Sequence, residues 1–90
     1  MFAAINRWIE RRRTIRLRWQ ADARVLIAAD EVNAYYEAQR RAARARIDGD
    51  RAAFYHWAKV AAEVARIAPR AEMDIELVQA VVAEVERNPT

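Results

Sequence analysis

A single glycine among ninety residues, Gly49, stands between Asp48 and Asp50 with an unbroken helical pattern on either side. Glycine takes the left-handed conformation in which helices commonly end, and an aspartate just beyond it can accept the first free N–H groups of the next helix. The spacing predicts a helical hairpin with arms from about Ala23 to Ile47 and from Arg51 to Ala68. Level and antiparallel about Gly49, the arms set Tyr35 and Tyr36 near Ala58, Ala61 and Ala62. They set Phe54 and Trp57 near Ala38, Ala42, Ala43 and Ala45. Large residues facing small ones let helices approach closely, so the hairpin is the expected core.

Little in the chain competes with helix. Apolar residues make up 54% of the sequence, but 21 of them are alanines, which contribute helix propensity more than buried area, and the strand-favouring residues are scattered. Ninety residues make one small domain that buries roughly 60–65% of its unfolded surface. Pro69 ends the second arm. Asp74 is placed to cap a further helix, with Met73 before it and Val78 four residues on as a hydrophobic staple. Ile75, Leu77, Val78, Val81, Val82 and Val85 give that helix a wide apolar face, expected to cover the hairpin. Asn88-Pro89-Thr90 reads as a frayed tail.

From Met1 to Asp48 there is neither Gly nor Pro. At 100° per residue, Phe2, Ile5, Trp8, Ile9, Ile15, Trp19, Ala23, Leu26 and Ile27 share one side of a helix, with Leu17 the outlier. A rod from Phe2 to Ile47 would extend about 70 Å at 1.5 Å per residue, far longer than its partner arm; the pattern fits one helix or two, and the best place for a break is Gln20-Ala21-Asp22 with Asp22 as an N-cap. The expected architecture is an all-α, three- to four-helix bundle. Its antiparallel hairpin is closed by a C-terminal helix, and a basic amphipathic N-terminal helix (residues 1–22) precedes the bundle (residues 23–88).

The net charge of +3 hides an asymmetry: Met1 to Arg24 holds seven arginines and two acids, while Val25 to Thr90 holds nine basic residues and eleven acids. Lys59 is the only lysine. A GC-rich genome enriches Arg and Ala together, so codon usage competes with guanidinium chemistry as the reason. Between Arg7 and Trp19 lie six arginines and two tryptophans.

The downstream helices can close without this segment, which leaves its stripe as surplus apolar surface of the kind that contacts a partner. The expected anchors are Phe2, Ile5, Trp8, Ile9, Ile15 and Trp19, with Arg7, Arg11, Arg12, Arg13, Arg16 and Arg18 orienting an acidic partner. Another protein or a second copy of the chain would bury the stripe helix on helix. Nucleic acid would be held through its phosphates, and an anionic membrane would take Trp and Ile into its interface. Arg12 and Arg16 lie toward the stripe and argue against a dry coiled-coil seam. The competing arrangement folds the segment back as a fourth helix, with Trp8 and Trp19 as core.

Signals for chemistry are weak. Without cysteine there is no disulfide or thiolate metal site, and without serine no serine triad. His56 lies on a hydrophilic face with Lys59 and Glu63, as a solvated residue would. Asp30, Glu31 and Glu37 could meet Glu63 across the hairpin as an acid cluster, but each has a basic residue at helical spacing or across the hairpin. Tyr35, Tyr36, Phe54, Tyr55 and Trp57 have the spacing of a core rather than a ligand cage, with Arg40 or Arg41 stacked on Trp57 and Tyr55 set outward. One glycine cannot build a phosphate loop, and no second hairpin follows at the tetratricopeptide period. No run of apolar residues reaches membrane-spanning length, and the N-terminus is not arranged as a signal peptide. A cytoplasmic, non-enzymatic interaction module is expected, without cofactor, metal or small-molecule substrate.

Overall fold

The computed structural model describes residues 2–88, which form four helices and no strand: α1 (Phe2–Asp30), α2 (Ala34–Ile47), α3 (Arg51–Ile67) and α4 (Ile75–Arg87). Pro89 and Thr90 of the expected tail lie outside the described residues, as does Met1.

The turn at Gly49 behaves as its sequence requires. Gly49 has φ +72°, and α2 ends there in a Schellman arrangement in which Gly49 N–H donates to Arg46 O at 3.1 Å and Asp50 N–H to Ala45 O at 2.9 Å. Asp50 then caps α3, its Oδ1 accepting from Ala53 N–H at 3.0 Å. Asp74 caps α4 through Glu76 N–H at 2.9 Å. Ala68, extended at φ −102° and ψ 101°, ends α3 just before Pro69, which disfavours helical geometry in its predecessor.

Residues 2–47 form two helices, and the break does not fall at the candidate site Gln20-Ala21-Asp22. α1 passes through residue 22 without interruption and ends eight residues later, so the first hairpin arm is two helices rather than one. Asp30 and Asn33 supply the break: the Asn33 side chain donates to Asp30 Oδ2 at 2.9 Å, the local side-chain bonding that competes with helix in these residue types. The chain after α3 latches onto this corner. Glu72 N–H donates to Val32 O at 3.0 Å, and Arg70 N–H to Glu31 Oε1 at 3.3 Å. Asp22, freed from capping, instead meets His56 Nε2 at 2.7 Å. His56 is accordingly half-buried, not the solvated residue expected, and its ring lies edge-on to Trp57.

α2 is the central helix, in contact with α1, α3 and α4. The Asp22–His56 and Glu31–Arg70 pairs show α1 and α3 running in the same direction, with α2 and α4 opposed to them. Ala23 and Leu26 from α1, Ala34 and Ala38 from α2, and Val60, Ala61 and Val64 from α3 form the core with Ala68. Trp19, Ile27, Tyr35 and Trp57 pack around it. Arg41 lies over the Trp57 ring at 4.7 Å.

α4 touches α2 and neither α1 nor α3 through its backbone, so it flanks one helix instead of covering the hairpin. Tyr36 explains the placement. Its ring meets Tyr35 edge-on yet is buried toward α4, where its hydroxyl accepts from Asp74 N–H at 2.9 Å. Arg46 to Glu86 and Arg44 to the Asn88 carbonyl, each 2.9 Å, hold the far end of α4. No buried side-chain polar atom among the described residues lacks a partner.

Candidate functional site

α1 is long enough, about 43 Å at 1.5 Å per residue, to outrun the helices beside it. Its level with α3 is set at the niche of about 470 Å³ where Ile15, Arg18 and Trp19 meet Ala52, Tyr55, His56 and Lys59. α3 starts at Arg51, so residues 2–14 stand about 20 Å beyond the Gly49 turn and, with residues 15–18 at the rim of that niche, make an arm. Every residue from Phe2 to Arg18 is exposed.

The helix is unbroken, so its stripe stays in phase from bundle to arm. Ala23 and Leu26 face the core, and the same side carried toward the N-terminus points Ile9, Trp8, Ile5 and Phe2 into the space past the turn. Phe2 is 83% exposed and Trp8 58%. Of the six expected anchors Ile15 stands at the rim of the niche against α3, and Trp19 alone packs on the core, half-buried with the Lys59 ammonium 5.5 Å from its ring centre. The fold-back arrangement therefore holds for Trp19 and fails for Trp8.

Electrostatically the arm is unsatisfied. Arg7, Arg11, Arg12, Arg13, Arg16 and Arg18 are all exposed, and among the described residues none forms a salt bridge. Arg12 lies over Trp8 at 4.7 Å, covering part of the apolar stripe with its own charge. Arg7/Arg11 and Arg12/Arg16 are like charges four apart, which cost about 0.2–0.5 kcal/mol each in an isolated helix. The arm nonetheless continues a helix whose costly nucleus is already formed in the bundle.

The other expected candidates dissolve into structure. Glu37 pairs with Arg40 and Arg41, Glu31 holds the Arg70 amide, and Asp30 bonds Asn33. Glu63, expected on the hydrophilic face with His56, is instead buried beside Val64 and gripped by Arg66 through both carboxylate oxygens. That hydrogen bonding holds its pKa below the usual carboxylate value, against the opposing effect of burial and helped by the charges of Arg66 and Arg24. No group of three or more His, Asp or Glu able to hold a metal occurs among the described residues. Tyr55 is exposed, as its position outside the inward face implies.

One surface has no counterpart among the expected sites. At the opposite end from the arm, Val32, Met73 and Ile75 are exposed near Glu72 and Glu76, with the Glu72 amide bonded to the Val32 carbonyl. Its signal was the width of the α4 apolar face, which is more than contact with α2 alone can cover.

The sequence matches no protein-family model, no curated protein and no solved structure. No helix among the described residues is long and apolar enough to cross a membrane.

Proposed function

We propose that this small all-helical domain is a non-enzymatic interaction module that docks its arm, residues 2–18, on an acidic protein surface. The observation that carries the reading is the stripe of Phe2, Ile5, Trp8 and Ile9, presented in phase and uncovered on a helix held rigidly at its root. Aromatic anchors surrounded by arginine are the residue types that dominate protein interfaces, and Arg12 over Trp8 is placed to release its charge to a partner carboxylate as the indole is buried. Six arginines without carboxylate partners favour an acidic surface and speed the encounter. The stripe favours protein over nucleic acid, because phosphates satisfy guanidinium groups and leave indole and isoleucine wet.

A photoreactive residue in place of Ile9, irradiated in cells, tests this. Protein adducts that disappear when Trp8→Ala is added are the expected result. Adducts to nucleic acid or lipid alone, or none, would overturn the reading.

A further inference from the structure

The two unsatisfied surfaces of this molecule are complementary and lie at opposite ends of a body 48 Å in its longest dimension. The arm is basic and apolar. The far end presents Val32, Met73 and Ile75 near Glu72, Asp74 and Glu76, with Arg70 at the same corner, and Glu72 and Glu76 form no salt bridge among the described residues. A single chain cannot bring them together, because α1 runs unbroken from the arm into the core and ends at the acidic corner. Resting on the reading of the arm as a protein-docking element, we infer that its partner is a second copy of this chain, the arm of one copy lying on the acidic, apolar end of the next.

Two features point to head-to-tail contact and away from an arm-to-arm pair. Packing two arms together would set six arginines against six with one carboxylate, Glu10, from each, and like charges across an interface are penalised. The stripe also faces the space beyond the Gly49 turn, so an occupant there continues the long axis of the first copy. Such a contact uses two different patches, and each added copy exposes a fresh arm at one end and a fresh acidic patch at the other.

Sedimentation of the full chain over a wide concentration range tests this. Mass should climb past the 10.4 kDa monomer and past the dimer, and added salt should reverse the growth. Arm-neutralised chain (Arg11→Gln, Arg12→Gln and Arg16→Gln) and end-neutralised chain (Glu72→Gln and Glu76→Gln), each first shown to melt like the parent, should need about tenfold more protein to associate, as expected from the loss of several exposed ion pairs. Mixed in equal amounts, the two should regain parental affinity yet stop at a dimer, because only one intact arm meets one intact end. A parent that stays monomeric, growth that saturates at the dimer, or variants that assemble like the parent would each overturn the inference. So would a chain that remains monomeric while binding random duplex DNA or phosphatidylglycerol vesicles through the arm. A monomeric chain whose Ile9 photoadducts are all to a different protein would overturn the self-contact alone and leave the docking role standing.

Discussion

The two halves of α1 are built from one pattern and meet opposite ends. Residues 19–30 and residues 2–18 share one apolar stripe on one unbroken helix, yet Ala23 and Leu26 are buried in the core while Phe2, Ile5 and Trp8 face water. The difference lies in what stands opposite. α2 and α3 reach the level of Trp19 and turn back at Gly49, so the bundle covers only as much of the stripe as the hairpin is long. Amphipathic pattern fixes which face of a helix seeks cover; the length of the neighbouring elements fixes how much of it finds any.

Like substitutions in the core that covers one half and on the bare stripe of the other should separate the halves. The largest effect is expected from Val64→Asp, which places an unpaired charge in the core opposite α1; it should cost about 4 kcal/mol or more and leave the chain unfolded by circular dichroism. Ile5→Asp, the same chemistry on the arm, should leave the melting temperature unchanged. Leu26→Ala should cost about 2–4 kcal/mol in denaturant unfolding, and Ile9→Ala less than about 0.5 kcal/mol. A stable Val64→Asp, or an unfolded Ile5→Asp, would erase the contrast.

Smaller effects test the corners that set the hairpin length. Gly49→Ala keeps free space around the new methyl but forces a left-handed alanine, and should cost about 1 kcal/mol by chemical denaturation. Tyr36→Phe removes the hydroxyl that receives Asp74 N–H and should cost about 1 kcal/mol, with faster amide exchange at the start of α4. The Glu63–Arg66 pair gives a pH signature. Because the Glu63 pKa is lowered on folding from its ordinary 4.5, its contribution is complete above that value and is lost as pH falls through the lower folded one. Glu63→Gln should therefore flatten part of the stability loss below about pH 4.5 and leave the slope at neutral pH unchanged.

Gly49, Asp50, Pro69 and Asp74 announced every boundary they control, because each acts through its own backbone or a neighbour two or three residues away. The corner at Asp30–Asn33 was harder to read. Its local hydrogen bond is no stronger a signal than the one Asp22 offered, and what decides between them is distant: Asp22 is taken by His56, and the chain near Glu72 ties down the Val32 carbonyl. Tyr36 was misplaced for a similar reason, since its partner amide lies 38 residues on. The composition of the arm was visible in full. Its exposure was expected too, but beside a fold-back alternative, because a stripe looks the same whether or not a neighbour is long enough to cover it.

Residue-resolved amide hydrogen exchange on dilute monomer probes the uncovered arm directly. Residues 20–30 should exchange near the rate of global unfolding, while residues 2–14 should exchange orders of magnitude faster, as expected for a helix with no tertiary contacts to protect it. Equal protection along the whole of α1 in a monomer would mean that the arm has found cover on its own bundle, and the docking role would fall with it.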